Sequence, residues 1–480
     1  MKPGGISIDR RSSVPLHRQL ERAFRDAILG GRLQPGDRIL SSRELCVHLG
    51  LARNTILDAL GQLEAEGYLV TTRGVGTFVA ESIHRVAGPR GSSKTDRDIA
   101  PSTAAVDLLN ASALAAKPGD ALPFRPGVPD LESFPLAFVR RCFNGQRLRP
   151  QLLDYSDISG DEHLREAIAE RLQQTRGIAC TPDEVLITSG AQAAFSLIAR
   201  VLLGRRDAVV VEDPGYPNAR AAFLAGGARI VAVPVDDSGI VVSAFIKRAA
   251  RCAVVTPSHQ YPTGAVLSLE RRFAILDWAL AHDAWIVEDD YDSEFNYTGR
   301  PQPALASLDG GRRVLYVGTF SKVLAPALRI GYMVVPRTLR AAFAAAQRVT
   351  GEGPSPLLQR ALAAFVRGGG FARHITKMRT LYDGRRRFTS AEFAHAFTGF
   401  ACVRDTRAGL HFVLALPATI RDASVSAAAA QAGIVVPALS TYFHGVPRAN
   451  GLVVGFASTP PLEAKRAIAE LRAAVTRMNG

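Results

Sequence analysis

The sequence predicts an α/β chain in two parts: a small helical head closed by a hairpin, and a large domain built on a mainly parallel, doubly wound sheet. Three observations carry the prediction. The first eighty residues hold two short helices across a tight turn and then a glycine-tipped strand pair. Past residue 150, short apolar strands alternate with amphipathic helices, and between the two parts lies a stretch of Gly, Pro, Ser and charge without sustained period. At 480 residues the chain has room for two or three compact units, and 47% hydrophobic against 21% charged residues places it among folded globular proteins. No apolar run reaches the roughly 18 residues that cross a bilayer. The start MKPGGISIDRRSSVP lacks the apolar core of a secretion signal, so a cytoplasmic location without a membrane partner is expected. The five cysteines, Cys46, Cys142, Cys180, Cys252 and Cys402, are scattered without Cys-x-x-Cys spacing; they are expected as buried free thiols, and no metal site is expected. The net charge of +14 admits an anionic partner such as nucleic acid without demonstrating one.

In the head, PLHRQLERAFRDAILGG sets Leu16, Leu20, Ala23, Phe24, Ala27 and Ile28 at helical spacing and stops at Gly30-Gly31. SSRELCVHLG follows, with Ser41 and Glu44 at capping-box spacing and Gly50 as its end. ARNTILDALGQLEAEG then lines Ile56, Leu60 and Leu63 on one face and puts Arg53, Asn54 and Thr55 in its first turn. Two helices so joined make a helix-turn-helix, whose second helix reads the major groove with its N-terminal residues, Arg suiting guanine and Asn adenine. YLVTTRGVGTFVA alternates as a hairpin, with Gly74 and Gly76 permitting a wing. The same pattern also serves as scaffolding in proteins that never touch DNA. In order, PLHRQL, GRLQPGDRI, SSREL, LGLARNT, LEAEGYL and GVGTFV resemble the GntR-type winged helix-turn-helix over about residues 12–80. The resemblance implies contacts to a double-stranded DNA operator from Arg43, Arg53, Asn54, Thr55, Arg73 and Gly74. Leu40 stands where that family usually has proline, and Ala52 where Ser or Thr would cap the recognition helix, a loss typically worth about 1 kcal/mol.

Residues 81–118 read as a tether; its Arg85, Arg90, Lys94 and Arg97 are expected as solvated linker charges, with nonspecific phosphate contact as the lesser alternative.

In the large domain the strands VLITS, AVVVEDPG, CAVVTPSH, WIVEDDYD and RVLYVGTFSK alternate with helical stretches, which points to ligands at the strands' carboxyl ends. Ser189-Gly190-Ala191-Gln192 leads from a strand straight into a helix, leaving backbone N–H groups and a helix dipole where a phosphate could rest. Small residues opening a helix are also common without a ligand. GTFSKVLAPALRIGY places Lys322 just after a strand and Arg329 seven residues on; a desolvated lysine amine can form a Schiff base with an aldehyde. WIVEDDYDSEF ends a strand at Asp289 and sets Tyr291 two residues on, to the same side. A carboxylate can keep a pyridine nitrogen protonated, and a phenol can meet the ring's 3′ oxygen.

FRPGVPDLESFP, YSDISGDEHLREAIAERL, TSGAQAAF, EDPGYP, PSHQYPTG, EDDYDSEF and FSKVLAPALRIGY resemble, in order, the fold type I pyridoxal-phosphate enzymes of the aminotransferase class over about residues 119–480. With the head attached, the chain resembles the MocR subfamily of GntR regulators. The resemblance implies pyridoxal 5′-phosphate as cofactor, Lys322 as Schiff-base lysine, Asp289 on the pyridine nitrogen, Tyr291 near the 3′ oxygen and Tyr216 stacked on the ring. Ser189, Gly190, Ala191, Gln192, Ser321 and Arg329 would cradle the phosphate, and Tyr155 would reach the phosphate of a neighbouring subunit, implying a homodimer. It also implies a layout of residues 1–80 as head, 81–118 as linker and 119–480 as cofactor domain. Within the last, a large lobe would span about 150–335 and a small α+β lobe 119–149 plus 336–480.

Two positions depart from an aminotransferase. Tyr261 in SHQYPTG stands where an asparagine helps hold the 3′ oxygen, and Val453 in GLVVGFAS stands where an arginine clamps the substrate's α-carboxylate. Positioning of that kind supplies at best about 7–11 kcal/mol of catalysis. Arg220 and Arg407, both expected at the surface, are the candidates to replace it. Three readings follow: a regulator sensing pyridoxal phosphate or its aldimine with a small amine or amino acid, an aminotransferase with a DNA-binding head, or a regulator whose large domain only dimerises.

Overall fold

The computed structural model describes residues 8–85, 122–145, 157–298, 302–351, 353–405 and 407–479, with Val106 and Leu109. The chain divides into two compact units, Met1–Ala100 and Pro101–Gly480.

In the first unit, α1 (Leu16–Leu29), α2 (Ser42–Leu49) and α3 (Arg53–Ala65) are followed by a hairpin of β1 (Leu69–Thr72) and β2 (Gly76–Val79). The capping box of α2 is complete: the Glu44 amide donates to Ser41 Oγ at 3.3 Å and the Ser41 amide to Glu44 Oε2 at 2.7 Å, while Gly50 closes the helix in the left-handed region. Leu20, Phe24, Ala27 and Ile28 of α1 are buried against Leu45, Ile56, Leu63, Leu69 and Val79, and Ile83 joins the same core. Truncating a fully buried leucine such as Leu63 to alanine would cost about 2–5 kcal/mol. Leu40 packs against this core from a partly buried position.

The second unit is organised by an eight-stranded sheet in the order β3-β10-β9-β8-β7-β4-β5-β6. Its strands are β3 (Val185–Thr188), β4 (Ala208–Asp213), β5 (Arg229–Asp236), β6 (Gly239–Ile240), β7 (Cys252–Val255), β8 (Trp285–Asp290), β9 (Val314–Thr319) and β10 (Gly331–Val334). The run β5-β4-β7-β8-β9 is parallel; β10 is antiparallel to both β3 and β9, and β6 to β5. Every residue of β4 and β8 is buried, because helices cover both faces, and this explains the unbroken apolar runs rather than an alternating pattern. One core contains Val185, Ile187, Val210, Val255 and Ile286; the other contains Leu186, Val209, Val211, Val254 and Val287, as the period of two demands. A separate antiparallel sheet of β11 (Cys402–Arg404), β12 (His411–Ala415) and β13 (Gly451–Gly455) follows the 27-residue helix Gly370–Ala396. The cysteines correct one expectation: all five are free, yet Cys252 alone is buried and Cys402 is exposed. No described helix is long and apolar enough to cross a membrane.

Candidate functional site

In the first unit, Arg43 on α2, Arg53 and Asn54 in the first turn of α3, and Arg73 and Gly74 at the wing are exposed, and Thr55 is half-buried. Ala52 sits at the start of α3 with extended backbone and no side-chain cap, so the first-turn amides beside Arg53 and Asn54 have no capping acceptor.

In the second unit, β3, β4, β7, β8 and β9 all end at one edge of the sheet, and the loops leaving them carry the chemistry. β9 runs on through Thr319 into Phe320, Ser321 and Lys322. The Phe320 amide donates to Ile330 O at 3.1 Å, which folds the loop so that Ser321 and Arg329 flank the entry to β10. Gly331 there pairs with both Thr188 and Thr319, and an added Cβ would lie 2.8 Å from the Gly190 carbonyl carbon and 3.0 Å from the Ala191 nitrogen. Only glycine admits so close an approach, and it brings Ser189, Gly190, Ala191 and Gln192 next to Ser321 and Arg329. Gly190 has φ 93°, and no side chain caps the helix Ala191–Leu202 that it starts. Gln192 Nε2 donates to Asn218 O at 3.0 Å, while its Oε1 is buried without a partner among the described residues. Arg329 is exposed with φ 50°. Tyr155 lies outside the described residues.

Lys322 donates from Nζ to Gly127 O at 2.8 Å. Burial lowers its pKa from the ordinary lysine value, against the pull of Asp292 and Asp289. Asp289 is buried, with its pKa pushed up to about 8, first by desolvation and then by Asp290, Glu212 and Asp292, while Lys322 opposes the rise. Beneath it Glu212 is pushed up to about 7 by burial, although Thr256 donates to it at 2.6 Å and Gln260 at 3.2 Å. Tyr216 precedes the helix Pro217–Ala225 at the end of β4, its ring edge-on to Tyr261 at 5.6 Å. Tyr261 also packs 5.8 Å from Tyr291 and 5.4 Å from Tyr442, and its hydroxyl lies 3.1 Å from that of Tyr442. The structure therefore gathers Asp289, Tyr291, Tyr216 and Lys322 at one edge, with an aromatic wall where an aminotransferase has its asparagine.

Val453 on β13 is fully buried with Val413, Leu439, Tyr442 and Phe443, and Tyr261 packs on the same cluster. Arg220 is buried rather than at the surface, giving Nη1 to Tyr442 O at 3.2 Å; Arg407 is exposed, with φ 56°. Residues not singled out beforehand also converge here. His259 Nδ1 lies 3.0 Å from Asp292 Oδ2 and 3.0 Å from the Tyr291 hydroxyl. Among the described residues, His259, Asp292 and His411 place donor atoms within 4.8 Å of one another, all three buried. His259 and Asp292 sit inside the motifs PSHQYPTG and EDDYDSEF, and nothing in the sequence pairs them.

Comparison with known proteins agrees with this arrangement. The bacterial regulatory proteins of the GntR family match residues 16–79, and the class I and II aminotransferases match residues 128–470. A probable rhizopine catabolism regulatory protein, MocR of Rhizobium meliloti, is 36% identical over 98% of this chain and 95% of its own length. The pyridoxine biosynthesis transcriptional regulator PdxR of Corynebacterium glutamicum is 34% identical over 98% of each chain. Among solved structures, the kynurenine aminotransferase of Pyrococcus horikoshii superposes with a TM-score of 0.69 at 26% identity, covering 81% of this chain and 97% of its own. Head and sheet together define the class of winged-helix regulators that carry an aminotransferase-type domain. Within that class, the chain belongs to the MocR subfamily of GntR-type transcription regulators.

Proposed function

We propose that this regulator senses pyridoxal 5′-phosphate, alone or condensed with a small amine or amino acid, and alters its hold on a double-stranded DNA operator in response. The observation that carries the reading is the convergence of a desolvated lysine amine, a buried carboxylate without a donor among the described residues, and an uncapped helix N-terminus at one sheet edge. Those residues fit the cofactor. Asp289, without a hydrogen-bond donor among the described residues, would meet the pyridine nitrogen; Lys322 would hold the aldehyde carbon; Tyr291 would donate to the 3′ oxygen; and Tyr216 would cover the ring face. Ser189, Gly190, Ala191, Gln192, Ser321 and Arg329 would surround the phosphate, arginine supplying a fixed donor fork. When bound, pyridoxal phosphate supplies an aldehyde for amines and an electron-accepting ring. Tyr155 would reach a neighbouring subunit's phosphate, making the working form a homodimer. Arg43, Arg53, Asn54, Thr55, Arg73 and Gly74 would contact DNA, with residues 1–80 as head, 81–118 as tether and 119–480 as sensor, in the cytoplasm.

Regulation requires only that the ligand bind the two DNA-affinity states unequally. Titration with pyridoxal phosphate, borohydride fixation and peptide mapping should place the label on Lys322, and gel shifts should differ with and without the cofactor. A protein that stays colourless and unlabelled overturns the reading. The intact lysine, aspartate and tyrosine set favours a second reading, an aminotransferase with a DNA-binding head; the buried Val453 in place of a carboxylate clamp argues against it, and steady turnover of an amino donor with a keto acceptor would decide for it.

A further inference from the structure

We propose that His259 and Asp292 are positioning residues that fix the direction of the Tyr291 hydroxyl proton. The inference rests on the cofactor reading above. Asp292 Oδ2 and the Tyr291 hydroxyl both lie 3.0 Å from a single nitrogen, His259 Nδ1. With Asp292 ionised, and so an acceptor only, the nitrogen between them carries the proton and shares it with both oxygens. A phenol oxygen that accepts this hydrogen bond keeps its own O–H free to donate elsewhere, and the acceptor on offer is the cofactor's 3′ oxygen. With Nδ1 bare, the imidazole would face the carboxylate lone pair to lone pair and would draw the phenol proton to itself, away from the cofactor.

The surroundings are built to hold this arrangement. The side chains of His259 and Asp292 are each 1% exposed. Gly409, with φ 68°, passes so close that a Cβ there would lie 2.1 Å from His259 Cε1 and 2.4 Å from Asp292 Oδ2, so the turn before β12 presses its backbone on the pair. The groups facing it are Asp289 and Asp290 of β8, Lys322 after β9, Tyr261 after β7 and His411 of β12. Burial, with Asp290, pushes the Asp292 pKa up, and His259 and Lys322 pull it back towards the charged form. His411 donates Nε2–H to Pro262 O at 3.1 Å, and burial holds its pKa well below the ordinary histidine value, so it stands as a neutral wall 5.0 Å from the His259 ring. His411 Nδ1 and Asp292 Oδ1 have no partner among the described residues, and a cation between them is the competing occupant.

The test uses full-length protein loaded with pyridoxal phosphate, read as the pH midpoint of its visible absorbance band. Tyr291→Phe should raise the midpoint, because a donor to the 3′ oxygen favours negative charge there. His259→Leu, which removes the Nδ1 donor, should raise it by about one pH unit, the scale of one charge-assisted hydrogen bond, and Asp292→Asn should raise it less, because it also removes a charge that favours a proton on Lys322. His259→Leu combined with Tyr291→Phe should add nothing to Tyr291→Phe alone. Folded, loaded variants with the parental midpoint, or shifts that add in full, overturn the proposal. If either variant does not fold, 15N spectra of the histidine-labelled parent decide: a protonated Nδ1 on His259 is expected, and a bare one overturns it. One equivalent of a first-row metal that disappears in His411→Asn overturns it in favour of a cation site. A parent protein that takes up no pyridoxal phosphate overturns the cofactor reading, and this inference with it.

Discussion

In the head, Arg43, Arg53, Asn54 and Arg73 stand exposed around a core of Leu20, Phe24, Ile56 and Leu63 to which they contribute nothing; in the large unit, Asp289, Glu212 and Asp292 are buried among the strands that hold them. An exposed guanidinium keeps its hydration until it meets a phosphate, so it costs the fold little. A buried carboxylate is held against desolvation by the whole sheet, and the rise of Asp289 to about 8 measures that burden. The contrast teaches that the head is poised for a rigid polyanion and the sheet edge for a small molecule that relieves a strained set of charges.

The comparison breaks most completely at Lys322. Lys322→Ala is expected to lose the borohydride-fixed label entirely and to leave operator affinity indifferent to added pyridoxal phosphate, measured by gel shift. Label that persists on another residue would mean that the sheet edge is not where the amine chemistry resides.

Asp289→Asn sharpens the same contrast because it should act in two directions. Cofactor retention is expected to fall about tenfold or more, through loss of a charge-assisted partner to the pyridine nitrogen. The cofactor-free protein should gain stability, about 2–4 °C in Tm for each kcal/mol relieved. The sign follows from linkage. With folded pKa values of about 8 for Asp289 and about 7 for Glu212, both above their unfolded values, the native state binds the extra protons. Stability of the cofactor-free parent therefore falls as pH rises from about 4 towards 8 and levels off beyond, and the slope should shrink in Asp289→Asn. Melting curves of both proteins across that range check it.

Arg53→Ala probes the exposed side of the comparison. Loss of one major-groove or phosphate contact should lower operator affinity by about 1–3 kcal/mol, with a shallower salt dependence if the contact is to phosphate. The absorbance of bound cofactor should match that of the parent, since Arg53 belongs to the other compact unit.

Much of this was legible in the residue order. The capping box at Ser41 and Glu44, the glycine-tipped wing and the strand-helix alternation are local patterns, and the strands and helices lie where they indicated. Asp289, Tyr291 and Lys322 could be singled out because each sits within two or three residues of a strand end. What was not legible depends on packing between distant segments. Arg220 was expected at the surface because arginine usually is, yet Tyr442 and Asp213 hold it inside. The His259–Asp292 pair joins two loops 33 residues apart, and the approach of Gly409 to it becomes visible only when β12 docks. Val453 could be read as a missing clamp, but its place in an aromatic cluster with Tyr442 and Tyr261 could not.

The smallest effect is expected at Ala52, and it tests whether the exposed face of the head was set for stability or for binding. Ala52 already has the extended backbone of a capping residue, φ −62° and ψ 144°, so serine could accept a hydrogen bond from an open amide of α3 without strain. Ala52→Ser should therefore stabilise the isolated folding transition of the head by about 0.5–1 kcal/mol, read as an upward shift of its Tm or denaturant midpoint. Those same amides are the groups through which a helix N-terminus meets a DNA phosphate. If the alanine leaves them open for that contact, the serine variant should be more stable and yet bind operator no better, or slightly worse. An equal gain in stability and in operator affinity would show instead that the missing cap is merely a local weakness of the recognition helix.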